Sequence, residues 1–271
     1  MLPTIVVVPC YNEAARLPVA AFEAFVRQHP DVGLLMINDG SRDATATVIN
    51  RLAALFPRQV QTLHLPFNVG KAEAVRQGML MAFEAQPQQV AYWDADLATP
   101  LEAITQFCEV LQRRASVEIV IGARLPLLGR EIRRTRTRAI LGRVFAACAS
   151  KVLRLRISDT QCGAKMFRRS ERIESLFAEP FGTRWIFDVE LLARWQCGLS
   201  QAALCSESRL FEFPLEDWHD VAGSKLKRSD FVRAAGELLS IYRTYRPATK
   251  AVSRPVVVPV GLAELPVRHA A

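Results

Sequence analysis

Two aspartates one residue apart are the side chains in this sequence that most clearly could do chemistry. Asp94 and Asp96 follow the apolar run Val90 to Trp93, and carboxylates this close repel each other unless a cation or hydrogen-bond donors compensate. Such oxygen ligands suit Mg²⁺ or Mn²⁺, which bind one or two carboxylates while substrate phosphates complete the octahedron. The pair therefore predicts a divalent-metal site, and the alternative is a solvated turn.

Lys71 is a second candidate for contact with a substrate. It follows Asn68-Val69-Gly70 where a helix is expected to begin, so backbone N–H groups, the helix dipole and an ammonium can together meet a phosphate. An ordinary glycine turn with a solvated lysine is the alternative. The sequence contains neither G-x-x-x-x-G-K-[ST] nor G-x-G-x-x-G, so P-loop and Rossmann dinucleotide sites are not supported.

Strands and helices that alternate along the first half of the chain must position these residues. Short apolar or β-branched runs predict strands over Thr4 to Val8, Gly33 to Asn38, Val60 to Leu65, Val90 to Trp93 and Glu118 to Gly122. Helical spacing predicts buried faces that include Leu17, Ala20, Ala21, Ala24 and Phe25, then Val48, Leu52 and Leu55, then Ala74, Val75, Gly78 and Met79, then Ile104, Phe107 and Leu111. Thr99 suits the N-cap of a further helix, with Glu102 as its capping-box partner. The alternation predicts an α/β fold with a single mostly parallel twisted sheet flanked by helices, which binds ligands at the carboxyl ends of its strands.

Length and composition favour one folded unit. The 271-residue chain is half apolar and has no linker-like stretch before about residue 246, which predicts a catalytic domain, 1–246, and a tail, 247–271, that we expect to be flexible. No early apolar run is long enough for a signal peptide or a membrane span, so we expect a cytoplasmic protein. Six cysteines without a C-x-x-C pair favour reduced thiols over disulfides or zinc.

The formal charge of +8 favours an anionic partner, and the excess is concentrated between Arg130 and Arg156. Arginines and Lys151 are interspersed there with apolar residues, which predicts a basic amphipathic helical segment. Such a segment suits an anionic membrane surface, giving peripheral contact, and could admit a lipid phosphate to the site. A solvated helix face packed on the domain is the alternative.

Four ordered motifs resemble those of glycosyltransferase family 2. They are Pro9-Cys10-Tyr11-Asn12-Glu13, Asn38-Asp39-Gly40-Ser41, Asn68-Val69-Gly70-Lys71 and Asp94-Ala95-Asp96. The resemblance implies a GT-A fold, a nucleotide-diphosphate-sugar donor, a divalent metal and inversion at the anomeric carbon. By motif match, the residues that would hold the donor's base and ribose are Pro9, Tyr11, Glu13 and Asp39. Lys71 would lie near its uridine or phosphates, and Asp94 and Asp96 would serve ribose and metal.

The second half resembles dolichyl-phosphate glucosyltransferases and their bacterial polyprenyl-phosphate relatives. The matching segments are Asp159 to Phe167 and Arg184 to Glu190. This resemblance implies that UDP-glucose is favoured as donor over GDP-mannose, and that a polyprenyl phosphate is the acceptor. It also implies residues that bind acceptor or donor phosphates, namely Arg124, Arg138, Gln161, Lys165 and Lys225. Some mannosyltransferase relatives place a glutamine as a further metal ligand where this chain has Ala98.

The predicted reaction transfers a hexose to the phosphate of the lipid, with Asp96, Arg124 and Asp188 at the reacting groups. A phosphomonoester has a second pKa of about 6, so a strong base is not required. If a base is used, Asp188 and Glu190 are candidates, and the alternative is that they cap and solvate the helix that starts near Val189. A soluble glycosyltransferase with a sugar or small-metabolite acceptor is a rival interpretation. The charge would also permit a basic nucleic-acid-binding protein, which is the less favoured alternative. A nucleic-acid partner is not expected, because aromatics do not interleave with the basic run and the aspartate pair would repel phosphate in the absence of a metal ion.

Overall fold

A computed structural model describes residues 2–125, 127–133, 136–155, 157–197, 199, 209–219 and 228–245. Lys225, the side chain of Arg138 and the tail from residue 247 lie outside the described part. The predicted roles of those residues, and the predicted division into a domain and a tail, stay predictions.

Strands and helices alternate through the first half of the chain, as predicted. The strands are β1 (Thr4–Cys10), β2 (Val32–Asp39), β3 (Val60–Leu65), β4 (Gln89–Trp93), β5 (Ile119–Ala123), β6 (Glu131–Arg133), β7 (Ala164–Arg168), β8 (Leu210–Pro214) and β9 (Asp217–His219). The helices are α1 (Val19–Gln28), α2 (Thr45–Leu55), α3 (Lys71–Glu84), α4 (Glu102–Arg113), α5 (Arg136–Leu153), α6 (Glu171–Ser175), α7 (Phe187–Cys197) and α8 (Arg228–Thr244).

A seven-stranded sheet with the order β3-β2-β1-β4-β7-β5-β8 forms the centre of the molecule. Every neighbouring pair is parallel except those of β7, which runs antiparallel to both β4 and β5. Strands β2, β4 and β5 are buried along their whole length, as expected for strands covered on both faces. The prediction of a mostly parallel sheet is confirmed. Strands β6 and β9 form a separate parallel pair.

Helices cover both faces of the sheet, and the sheet side chains alternate between two cores. Val6, Val8 and Met36 pack with one core, to which α1, α2 and α4 contribute. Val7 and Ile37 pack with the other, which includes residues of α3, α5, α7 and α8. None of the helices in the described ranges is sufficiently long and apolar to span a membrane.

The predicted buried faces of α3 and α4 are confirmed, whereas the predicted face of α1 is right only at Leu17 and Phe25. Ala20, Ala21 and Ala24 are exposed, and α1 buries Phe22 and Val26 beside Phe25. The predicted face of α2 is buried at Leu52 but not at Leu55, which is 50% exposed. Both faces have helical spacing, and the larger side chains remove more apolar surface from water, so their face turns inward.

The predicted cap at Thr99 is also wrong. Helix α4 begins at Glu102 without a side-chain cap hydrogen bond. Thr99 is buried, its hydroxyl lies 3.7 Å from Sγ of Cys162, and its carbonyl accepts a hydrogen bond from Nε1 of Trp93 at 2.9 Å. Tertiary partners therefore occupy the groups that would have capped the helix.

Candidate active site

The loops after β1 and β2 meet at the carboxyl edge of the sheet and are joined by hydrogen bonds. The Asn12 amide donates to Oγ of Ser41 at 3.0 Å, and the Glu13 amide donates to Oγ1 of Thr45 at 2.8 Å. Pro9 pairs with Ile37 in the sheet. The structure thus brings Pro9, Tyr11 and Glu13 to the edge where β2 ends.

Asp39, the last residue of β2, organises the turn before α3. Its Oδ1 accepts a hydrogen bond from the Val69 amide at 2.7 Å, and its Oδ2 accepts from Nδ2 of Asn68 at 2.8 Å and from the Gly70 amide at 3.1 Å. Burial raises the pKa of Asp39, although these amide donors act in the opposite direction. Its predicted contact with the donor's base or ribose stays a prediction, and its visible role is to shape the Asn68–Gly70 turn.

Lys71 begins α3 and points its ammonium at the aspartate pair. Its Nζ lies 2.5 Å from Oδ1 of Asp94. Burial alone would lower the pKa of Lys71, but the charges of Asp94 and Asp188 outweigh it and raise that pKa. Gly70 precedes Lys71 with a φ of 93°, a conformation that favours glycine. The lysine is therefore protonated and held at a helix N-terminus beside a carboxylate.

Asp94 and Asp96 occupy the loop after β4, as predicted. The Asp94 amide donates to the Gly163 carbonyl at 3.0 Å, and a Cβ at Gly163 would lie only 1.8 Å from Oδ2 of Asp94. Oδ1 of Asp96 accepts from the Ala98 amide at 3.1 Å. Burial and the charge of Asp94 raise the pKa of Asp96. The effect of Asp94 is a repulsion between two carboxylates, which a bound cation would relieve.

The donor set at this loop fits Mg²⁺ or Mn²⁺. The described ranges hold no cluster of three or more His, Cys, Asp or Glu side chains that could bind a metal by themselves. Two carboxylates are the number of protein ligands expected when substrate phosphates and water supply the remaining oxygen ligands of the ion. Ala98 provides no side-chain ligand, so Asp94 and Asp96 are the residues that would hold the ion.

Arg124 directly follows β5 and pairs with Asp159. Its Nε lies 2.5 Å from Oδ2 of Asp159 and its Nη2 2.7 Å from Oδ1, a bidentate ion pair that is largely buried. Its guanidinium also stacks over the ring of Trp218, 5.0 Å from the centroid. The predicted contact of Arg124 with a phosphate stays a prediction, because Asp159 already occupies the fork of the guanidinium.

Gln161, another predicted acceptor residue, follows this ion pair. Its amide donates to Oδ1 of Asp159 at 3.1 Å. Its side-chain Nε2 is buried and has no hydrogen-bond partner among the residues that the structure describes. The structure therefore leaves a donor at this position that a ligand or water could satisfy.

Lys165 conflicts with its predicted role as a phosphate-binding residue. Its side chain is completely buried, and its Nζ donates to the Cys162 carbonyl at 2.7 Å and to Oδ1 of Asp188 at 2.5 Å. The Tyr92 hydroxyl donates to the same Oδ1 at 2.5 Å, and burial and Asp188 raise the pKa of Tyr92 well above its ordinary value. The ammonium is enclosed by protein groups because it compensates a buried carboxylate.

The first turn of α7 contains Asp188 and Glu190, and neither is solvated as the alternative interpretation proposed. Both side chains are buried. Glu190 accepts hydrogen bonds from the amides of Gly182 and Thr183 at 3.0 and 2.8 Å, and from Nη2 of Arg194 at 2.8 Å. Glu190 thus holds the turn that leads into α7 and has its hydrogen-bonding capacity used within the protein.

Arg184 is a site residue to which the sequence analysis gave no role of its own. A Cβ added at Gly70 would lie 3.1 Å from its Nη2, so the guanidinium covers the turn before Lys71. Glu237 of α8 fixes this segment by accepting hydrogen bonds from the amides of Trp185 and Ile186, each at 3.1 Å. The only sequence signal was the position of Arg184 within the second-half motif.

The sheet, the carboxylate pair at its carboxyl edge and the adjacent lysine define a class of enzymes, the glycosyltransferases of GT-A fold that use nucleotide-sugar donors. Sequence comparison narrows the class, because the model of Glycosyl transferase family 2 matches residues 5–173. The chain belongs to this family.

Similar proteins include dolichyl-phosphate beta-glucosyltransferases of several eukaryotes. One from Trichomonas vaginalis is 31% identical over 95% of this chain and 76% of its own length. The one from Homo sapiens is 31% identical over 82% of this chain and 68% of its own length.

Solved structures of lower identity share the fold. The mannosyltransferase PcManGT from Pyrobaculum calidifontis, in complex with GDP-Man and Mn²⁺, superposes with a TM-score of 0.61 at 18% identity, over 92% of this chain and 66% of that one. Glucosyl-3-phosphoglycerate synthase from Mycobacterium tuberculosis, in complex with Mn²⁺ and UDP-glucose, has a TM-score of 0.62 at 16% identity, over 89% and 78%. The predicted GT-A fold is confirmed.

Proposed function

We propose that this protein transfers glucose from UDP-glucose to a polyprenyl phosphate and releases UDP. The observation that carries the proposal is the convergence of Lys71 with Asp94 and Asp96 at the N-terminus of α3. A helix N-terminus, an ammonium and a carboxylate pair form a site for a diphosphate and its divalent cation. The proposed acceptor, a polyprenyl phosphate, is taken from the relatives, which are named dolichyl-phosphate beta-glucosyltransferases and match this chain over most of its length.

Asp94 and Asp96 would hold Mg²⁺ or Mn²⁺, which when bound supplies positive charge to the diphosphate leaving group. Lys71 then exchanges its contact with Asp94 for one with the donor phosphates. Asp39 holds the turn that carries Lys71, and Arg184 adds a second cation beside that turn. These contacts align the donor for displacement.

In the transfer, an oxygen of the acceptor phosphate forms a bond to the anomeric carbon of glucose while the bond from that carbon to UDP breaks. The electron pair of the broken bond leaves with UDP, and the configuration at the anomeric carbon inverts. The acceptor is largely dianionic near neutral pH because its second pKa is about 6, so it attacks without a strong general base. Asp188 accepts a hydrogen bond from the reactants.

We further propose that the protein binds an anionic bilayer at the cytoplasmic face of a membrane through α5. Residues 136–153 contain no acidic residue, and Arg143 and Lys151 are exposed. Leu141 and Val144 are also exposed, at 44% and 58%, so α5 presents apolar side chains next to cations. This combination fits an anionic lipid surface.

Sedimentation with liposomes tests the membrane proposal. Val144→Glu should lose binding to vesicles that contain anionic phospholipid, because it places a negative charge in the apolar face of α5. Leu55→Glu is the matched control, since Leu55 is 50% exposed on α2, which packs with the other core. Equal binding by the two variants, or no sedimentation of the unmodified protein, would contradict the proposal.

Transfer assays test the enzymatic proposal. Labelled UDP-glucose and GDP-mannose are incubated with Mg²⁺ or Mn²⁺ and with polyprenyl phosphate, free sugars or 3-phosphoglycerate. We expect glucose to enter the lipid fraction only from UDP-glucose, and Asp96→Asn to lower the rate on the order of 100-fold or more. Glu102→Gln, at an exposed carboxylate of the nearby α4, should act like the unmodified protein. Glucose transfer to a soluble acceptor in place of the lipid would support the rival interpretation.

A further inference from the structure

We propose that Lys165, together with Tyr92, is a positioning residue that holds Asp188 in place relative to the aspartate pair. The inference rests on the proposed function, because it concerns the role of Asp188 in the transfer. It replaces the sequence-based expectation that Lys165 binds a phosphate.

The sheet places Tyr92 and Lys165 side by side. They are directly opposite each other in the antiparallel pair of β4 and β7, so their side chains project from the same face. Both reach Oδ1 of Asp188, with donor–acceptor distances of 2.5 Å each. Two neighbouring strands therefore anchor one oxygen of a carboxylate that belongs to α7.

The Lys165 ammonium also connects Asp188 with the segment that shapes the Asp94 loop. Its second bond goes to the Cys162 carbonyl, and the next residue, Gly163, accepts a hydrogen bond from the Asp94 amide. Gly163 packs so closely on the Asp94 carboxylate that a Cβ there would clash with it. One buried ammonium thus links α7 to the backbone on which the Asp94 carboxylate rests.

This arrangement engages the two oxygens of Asp188 unequally. Oδ1 accepts two hydrogen bonds, whereas Oδ2 accepts none from any residue in the described ranges. Two donors from different strands fix the position of Oδ1 while α7 fixes the backbone of Asp188, which restricts the orientation of the carboxylate, and the adjacent ammonium compensates the cost of burying its charge. The free oxygen is then available to a hydroxyl or water of the reactants in a constant geometry, which is a requirement for a group that acts in the transfer.

A double-mutant cycle tests the inference, with kcat, KM for UDP-glucose and UDP binding as readouts. Lys165→Met should lower kcat on the order of 100-fold in the unmodified background and less than about 3-fold in an Asp188→Asn background, because the lysine acts through the aspartate. Metal-dependent UDP affinity reports on the Asp94 loop separately, and it should stay within about 2-fold in both backgrounds. A larger loss of UDP affinity that persists in Asp188→Asn would show that Lys165 acts on the aspartate pair through the Cys162 carbonyl, and would overturn the inference. Equal fold-losses in the two backgrounds would overturn the inference, and so would full activity of Asp188→Asn.

Tyr92→Phe provides a second cycle in case Lys165→Met does not fold, since it removes only the hydroxyl and leaves the ammonium. We expect a loss of kcat on the order of 10-fold that also disappears in the Asp188→Asn background. A loss that persists there would overturn the inference. The unmodified protein is assayed first with polyprenyl phosphate, so an absence of lipid glucosylation is recognised as failure of the proposed function.

Discussion

The donor half of the site, formed by the loops after β1, β2 and β4, differs from the acceptor half, formed by residues 124–190, in how charges are held. In the donor half, Asp39 accepts from the backbone amides of Val69 and Gly70, and Asp96 accepts from the Ala98 amide. One ion pair in that half, Lys71–Asp94, is partly exposed, whereas the pairs Arg124–Asp159 and Lys165–Asp188 of the acceptor half are buried.

This difference separates residues that remain able to meet a ligand from residues that hold the protein together. Lys71 and Asp94 form an ion pair whose side chains are 42% and 34% exposed, so phosphates and a cation can replace it. The Lys165 ammonium is fully buried and the Arg124 guanidinium nearly so. Substitutions in the donor half should therefore change activity more than stability, and substitutions of buried pairs in the acceptor half should change stability as well.

Asp94→Asn should give the largest effect and show the donor-half behaviour. We expect kcat/KM for UDP-glucose to fall on the order of 1,000-fold, because the cation loses a charged ligand. Stability should change by less than about 1 kcal/mol, since the exposed pair with Lys71 contributes little. Steady-state kinetics and urea unfolding measure the two quantities. A stability loss as large as that of a buried pair would remove the contrast between the halves.

The two halves also differ in how much of them the sequence predicts. The donor-half residues directly follow strands, and parallel strands end at one edge, so Pro9, Asp39 and Asp94 could be brought together from strand prediction alone. The bounds of β3 were predicted as Val60 to Leu65 and are the same in the structure. The motifs added residue types typical of the family, so the position of the site at this edge and its aspartate pair could be predicted from the sequence.

The acceptor half was harder to predict from the sequence because its interactions connect residues far apart in the chain. Arg124 and Asp159 are separated by 35 positions, and Lys165 and Asp188 by 23. No local sequence pattern predicts that either pair is in contact. The antiparallel insertion of β7 between β4 and β5 decides that Lys165 lies inside the protein. A single sequence shows that a lysine is present in a motif, but strand order determines whether its ammonium meets a substrate or a buried carboxylate.

Arg124→Met tests the acceptor-half side of the comparison. Removing the guanidinium leaves Asp159 buried without its cation, which should reduce the free energy of unfolding by about 3 kcal/mol. The double variant Arg124→Met/Asp159→Leu removes both charges and should regain most of that loss. Urea unfolding monitored by tryptophan fluorescence measures both. If Arg124→Met kept full stability but raised KM for polyprenyl phosphate, Arg124 would be an acceptor-binding residue as first predicted.

Glu190→Gln sharpens the comparison through its pH dependence, because Glu190 combines amide donors with a buried arginine. Burial alone would raise the pKa of Glu190, but hydrogen bonds from Gly182, Thr183 and Arg194 outweigh it and hold that pKa below its ordinary value of 4.5. The carboxylate therefore stabilises the protein fully above that ordinary pKa, and the contribution is lost as pH falls through the lower folded-state pKa.

Glu190→Gln should accordingly cost about 1–2 kcal/mol at pH 7 and progressively less below about pH 4. Urea unfolding at several pH values between 7 and 3.5 measures the difference, with Glu84→Gln, at an exposed carboxylate of α3, as the matched control. A difference that stayed constant across this range would mean that shape rather than charge at residue 190 stabilises the turn. Packing, and not the buried charge that we infer, would then stabilise this part of the acceptor half. The contrast between buried charges there and partly exposed charges in the donor half would no longer hold at residue 190.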